Sequence, residues 1–371
     1  MSVMEKNEKR LWHILDFSLA VSFFLVTLRV LDDVRLGGHG HKQGDYLINN
    51  LVEPVRRGHF GTAIIWVSDV LGSNPLSVVA AFQVVMLGVL YVSIGKILRS
   101  IGRAELALLL ALSSAFFVTF WVADPEGSVR KELIAFAGLA LTAAGFLTGS
   151  VVKSIMGTVL FGFSIVSHEA MLLLVPVFLA LLLFGWGRFS QEFLFGLFAL
   201  VASLSAFTIW FVLNFNQVGT PESVCRPLLE RGLQDHLCGG AIGWLQHDMD
   251  YGMDRVREML DVSGMVKFSV IYCISLLPFV LISCNQRQPG RFLLALVLAA
   301  VPFVPLYIIA IDWGRWIGLH VFSATILFSM LLATGRAISD FPIRRSNFYG
   351  MITLGLVLSP GHVLGILTII R

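Results

Sequence analysis

Apolar runs of close to twenty residues follow one another along almost the whole chain, such as Phe292 to Ile311 and Ile317 to Ala333. Crossing about 30 Å of hydrocarbon takes roughly 20 helical residues, and lipid offers an open sheet edge no hydrogen bonds. The pattern therefore predicts an all-α polytopic transmembrane bundle. Of 371 residues 56% are hydrophobic and 14% charged, with a mean hydropathy of +0.81, which excludes a soluble globular domain. A net charge of +3 without a basic tract gives no footing for a nucleic-acid partner.

Spans are expected near 11–31, 76–95, 104–123, 131–149, 152–167, 169–185, 193–213, 265–283, 292–311, 317–334 and 348–369, about eleven in one domain over 1–371. The apolar stretch after Lys6, Lys9 and Arg10 is too long for a signal-peptide core, which predicts a retained first span and a cytoplasmic N-terminus. Lys96, Arg99, Arg103, Lys153, Arg188, Arg287, Arg291, Arg336, Arg344 and Arg345 then fall in short inner turns, as the positive-inside bias requires. Most acids fall outside, and two large extracytoplasmic loops result, at about 32–75 and 214–264.

Cys225 and Cys238 share the second outer loop, where a bridge would persist only in an oxidising compartment, so a disulfide is predicted there. Cys273 and Cys284 fall on a span and its inner end, with no chemistry assigned. In the first loop, Asp45 to Arg57 puts Leu47, Ile48, Leu51, Val52 and Val55 on one helical face, which suits a helix in the interface or a hairpin packed on the bundle. A second amphipathic piece is expected over Phe60 to Leu71, and a short helix over Asp254 to Leu260.

Three polar islands interrupt the apolar text, and charge beside hydrocarbon is costly unless paired, hydrated or used. Arg130 and Lys131 stand where an outer loop enters a span, as a diphosphate-binding fork and point charge or as a snorkelling helix start paired with Glu126 or Glu132. His168 and Glu169 fall at the outer turn of a helical hairpin, as a catalytic base or as packing groups. Asp312 and Arg315 share a helical face and can pair, Arg315 serving phosphate and Asp312 orienting it or a sugar hydroxyl. Trp313 and Trp316 fit either an aromatic belt or a sugar-stacking surface. Asp32 and Asp33, after the first span, are acids for catalysis, metal binding or substrate binding, or solvated helix-end charges. His39, His41, His59 and Asp45 lack a complete zinc spacing, so no metal site is expected. A Walker lysine loop, a dinucleotide fingerprint and a serine nucleophile elbow are all missing from the sequence.

The order of these pieces resembles the EpsG and Wzy-like family of bacterial exopolysaccharide and O-antigen repeat-unit polymerases: an outer loop with an amphipathic segment, Arg130-Lys131 entering a span, His168 with an apolar run to Pro176, and Asp312-x-Gly-Arg315-Trp316 after a long outer loop. The likeness covers most of the chain in layout and is specific at these short motifs. It departs from the family pattern at Lys131-Glu132 and at Glu169. The resemblance implies inverting glycosyl transfer between polyprenyl-diphosphate-linked glycans at the outer face of the inner membrane. In that picture His168 or Glu169 is the base, and Arg130, Lys131 and Arg315 clamp the leaving diphosphate without a metal or other cofactor. Expected partners are the lipid-linked oligosaccharide, membrane lipids and proteins of polysaccharide export or chain-length control.

Two other functions compete. A GT-C-type glycosyltransferase using a polyprenyl-phosphate sugar would imply a GT-C-like architecture for the bundle and put its acid at Asp32 or Asp33. A transporter or flippase for a lipid-linked glycan would transfer nothing.

Overall fold

A computed structural model describes residues 3–215, 220–335, 345–362 and 366–368. Among these, six helices are long and apolar enough to cross a membrane: Asn7–Arg35, Pro75–Ser100, Gln191–Asn214, Val262–Cys284, Pro289–Ile309 and Trp313–Ala333. Three more apolar helices, Glu132–Thr148, Val151–Ser167 and Glu169–Gly185, are shorter. The protein is a helical bundle of membrane type, but the expected count of about eleven full spans is not met.

Two of the missing spans have visible physical causes. The expected span 104–123 is split into Ala104–Ala111 and Phe117–Ala123. At the break Ser113 Oγ donates to the Ser275 carbonyl (3.1 Å) and Thr119 Oγ1 to the Ser113 carbonyl (2.7 Å). Broken helix is tolerated at membrane depth only where protein surrounds it, and this segment is almost wholly buried. The expected span 348–369 becomes a helix, Arg345–Val357, followed by strand Leu358–Pro360 paired antiparallel with Ile366–Thr368. Its residues 363–365 and 369, and the inner-turn Arg336 and Arg344, lie outside the described residues.

Trp313–Ala333 is the axis of the bundle, with 94% of its apolar window buried, against 22% for Gln191–Asn214 at the periphery. Glu132–Thr148 and Val151–Ser167 pack closely because Gly138 and Gly157 face each other's backbones. A Cβ on Gly138 would stand 2.5 Å from the Phe161 nitrogen, and one on Gly157 2.4 Å from the Thr142 nitrogen. Small residues permit such approach where lipid gives helices no hydrophobic drive to associate. At this hairpin's far end Arg188 donates to the Phe146 (2.7 Å) and Leu147 (2.6 Å) carbonyls, a cation on a helix C-terminus.

The opposite end carries the two large loops. The interfacial helix expected over Asp45 to Arg57 does not form, and helix covers only Gln43–Tyr46. Asn50 Oδ1 accepts from the Val55 N–H (2.9 Å), Asn49 Nδ2 donates to the Leu47 carbonyl (3.1 Å), and Pro54 lacks a donor. Leu47, Ile48 and Val55 instead pack against Val224, Leu228, Leu237 and Ile242 of the second loop, while Leu51 and Val52 stay exposed. Helices Gly58–Leu71 and Met249–Met259 cover the other two segments expected to be helical. Cys225 and Cys238 form the disulfide, with Cα atoms 5.9 Å apart, and Cys273 and Cys284 are free thiols.

Candidate functional site

The loop end of the bundle gathers the three polar islands through the consecutive residues Arg130, Lys131 and Glu132. Arg130 Nη1 lies 3.3 Å from Asp312 Oδ2, and Arg315 ion-pairs with both Asp312 and Glu132. Lys131 points the other way, to Asp45 (3.6 Å) and to the carbonyls of Arg57 (3.1 Å) and Ser167 (3.2 Å). Arg57 in turn grips Glu169 with two nitrogens at 2.6–3.0 Å. Four cations and four carboxylates thus balance in two linked groups, one on Asp312 and one on Asp45.

The backbone is bent to achieve this. Among the described residues the only non-glycine positions with positive φ are Arg57 (+67°) and Val129 (+56°). A β-branched residue in that region is strained and persists only where its surroundings over-determine it. At Val129 they do so by a relay: His39 N–H to Gln43 Oε1 (2.9 Å), Gln43 Nε2 to Gln83 Oε1 (3.1 Å), and Gln83 Nε2 to the Val129 carbonyl (2.9 Å). Tyr46 hydroxyl donates to the Arg130 carbonyl (2.8 Å). The first loop therefore holds Arg130 in place.

The individual groups differ in availability. Lys131 is fully buried and its three donors all face protein oxygens, so it is an internal tie. Beside it, burial would raise the Asp45 carboxyl, but Lys131, with His168 and Arg57, holds it below the usual carboxylate range. Arg315 is buried with two carboxylates and lies over the Trp316 ring at 5.0 Å. Trp313 and Trp316 are themselves buried rather than in a belt, Trp313 meeting Phe268 at 4.5 Å. Arg130 is the least satisfied of the four cations: its contacts to Asp312 and the Glu126 carbonyl are both 3.3 Å, and its buried Nε has no hydrogen-bond partner among the described residues. Beside Arg130, Glu132 and Arg315 a cavity of about 20 Å³, walled by Phe117, Phe120, Trp121 and Phe136, has room for about one water.

His168 and Glu169 do not line that cavity. The Ala170 N–H donates to His168 Nδ1 (3.2 Å), which places the ring proton on Nε2 and makes that nitrogen a donor. Glu169 is occupied by Arg57. Asp32 pairs with Arg35 (3.1 Å), and buried Asp33 pairs with Lys42 (2.6 Å) and Arg29 (3.6 Å), so both acids are ion-paired at the end of the first helix.

Two histidines of the Gly37-Gly38-His39-Gly40-His41 stretch join the site. His39 Nε2 donates to Glu126 (2.5 Å) and its Nδ1 accepts the His41 N–H (3.2 Å). Burial lowers the His39 imidazole, as does Lys42, against the opposing pull of Glu126. Burial and the Arg130 guanidinium push His41 down to about 4, with Asp312 opposing. His41 and Arg57 were visible in the sequence as loop residues, but no spacing rule joined them to motifs a hundred or more positions away. Among the described residues no group of three or more His, Cys, Asp or Glu could hold a metal ion. Searches against protein-family models, curated proteins and solved structures each returned no match.

Proposed function

We propose that the protein is a polysaccharide repeat-unit polymerase, transferring glycan between polyprenyl-diphosphate carriers at the extracytoplasmic face of a bacterial inner membrane. The observation that carries this reading is the meeting of Arg130 and Arg315 on one carboxylate, Asp312, at the mouth of an otherwise apolar bundle. A diphosphate presents more charge and more acceptor oxygens than Asp312 does. It can displace Asp312 from the long contact to Arg130 and bond Arg130 Nε, which has no partner among the described residues. In the transfer a sugar hydroxyl of one carrier forms a bond to the anomeric carbon of another. The bond from that carbon to the diphosphate oxygen breaks, its electron pair leaves with the diphosphate, and the two guanidiniums offset the developing charge.

The disulfide supports the orientation, since it lies at the same end as the site and would persist outside the cytoplasm. The cavity has room for about one water, so it must widen before a sugar enters. Deleting the gene in its host and running surface glycan on a gel tests the reading. Loss of long chains with single repeats retained is expected. Unchanged glycan refutes the proposal, and loss of every repeat favours a single-sugar transferase or a flippase instead.

A further inference from the structure

We infer that His41 is the proton acceptor of the transfer, set beside the arginine pair by the glycine loop that carries it; this rests on the glycosyl-transfer reading. The reaction needs a base free to take the proton of the acceptor hydroxyl, and the other candidates are engaged. Glu169 is gripped by Arg57, His168 presents Nε2–H, Asp33 is held by Lys42, and His39 donates to Glu126. His41 alone among these has neither ring nitrogen hydrogen-bonded within the described residues, and it is half-buried, so a substrate can reach it. Its ring centroid is 6.1 Å from that of His39, which touches Glu126, and Arg130 donates to the carbonyl of the same Glu126 (3.3 Å). The charges acting on it are Arg130, Arg315 and Asp312 from the helix starts, and His39 from its own loop. Burial first and then Arg130 leave the ring unprotonated at neutral pH, and a diphosphate bound between the two arginines would offset their repulsion as the proton arrives.

The loop has the means to hold it there. Gly40 lies against Gly240 so closely that a Cβ on Gly240 would stand 2.1 Å from the Gly40 carbonyl carbon. The Ala241 N–H donates to the Gly40 carbonyl (3.0 Å), and His236 Nε2 donates to the Gly38 carbonyl (2.8 Å). In the reaction the acceptor hydroxyl gives its proton to a ring nitrogen of His41 as its oxygen bonds the anomeric carbon, and the imidazolium then releases the proton to solvent or to the departing diphosphate.

The test uses the full chain in nanodiscs with polyprenyl-diphosphate-linked glycans extracted from host membranes lacking the protein. Initial rates are read between pH 4 and 8, with folding checked by monodisperse elution and an intact disulfide. His41→Gln is expected to lower the plateau rate on the order of 100-fold, the low end for removing a general base, and to abolish the acid limb. Arg130→Lys is expected to lower the rate but keep the limb, and imidazole is expected to restore part of the rate to His41→Ala. A His41→Gln rate within twofold of wild type, with the limb intact, overturns the assignment and leaves the polymerase reading standing. A wild-type protein that elongates nothing sinks both. A second readout needs no variant: diethyl pyrocarbonate should modify His41 of the wild type, and inorganic pyrophosphate should slow that modification several-fold. Modification at the same rate with and without pyrophosphate contradicts the placement.

Discussion

Arg315 and Glu132 form an ion pair across 183 residues with both side chains more than nine-tenths buried. Removing one member of such a pair strands the other charge, at about 3–5 kcal/mol, whereas replacing both with apolar residues is often neutral. Glu132→Ala leaves Arg315 with Asp312 as its remaining carboxylate, so the melting temperature is expected to fall, but by less than full stranding would cause. The double variant Glu132→Leu/Arg315→Met should regain most of that loss and still make no long glycan. A double variant that polymerises normally would remove Arg315 from the anion site.

Arg57 and Glu169 pair through two guanidinium nitrogens, and Arg57 accepts a left-handed backbone to do so. Arg57→Lys keeps the charge but not the fork, so about 1.5–3 kcal/mol of charge-assisted bonding is at stake. We expect a lower thermal midpoint in detergent than wild type, with the disulfide unaffected. An unchanged midpoint would mean that the contact contributes nothing net.

The polar islands were legible because charge in apolar text is expensive, and the pairing of Asp312 with Arg315 followed from their helical spacing. Their joining through Arg130-Lys131-Glu132 could not be read, because Lys131 and its neighbours point to opposite sides and no sequence rule gives the turn at Val129. Asp32 and Asp33 read as catalytic or binding acids or as solvated helix-end charges, yet the Gly37-Gly38 turn brings Lys42 back onto Asp33. The helix predicted over Asp45 to Arg57 failed for a local reason, the asparagine bonds at 49 and 50. Hydrophobic periodicity there reported burial correctly at Leu47, Ile48 and Val55, but not the backbone that achieves it.

The His39–His41 loop should make the fold acid-sensitive. Both imidazoles are lowered from the ordinary 6.5, His41 to about 4, so between those values the unfolded chain binds more protons than the folded one. The part of the stability linked to these two histidines then falls as pH drops from about 6.5 towards 4 and changes no further below, in the sense that linkage requires. Melting curves of wild type and His39→Gln/His41→Gln across this window should differ in slope, the double variant being flatter. Parallel slopes would mean that these histidines carry no linkage.

Disulfide and glycine contact act in series on the same loop. Cys225 and Cys238 close a segment with a sequence separation of 13, worth about 3 kcal/mol in the chain-entropy model, and Gly240 lies just beyond it against Gly40. Cys225→Ser/Cys238→Ser, or reductant on the wild type, should free the second loop while the buried Trp313–Ala333 helix and its neighbours stay packed. Gly240→Ala should do the same with the disulfide intact, because the added methyl has no space beside Gly40. The expected outcome in both cases is unchanged helical circular dichroism, faster proteolysis within 220–248, and a rate loss resembling that of His41→Gln. If Gly240→Ala retained the wild-type rate and protease resistance, the second loop would not be what seats His41.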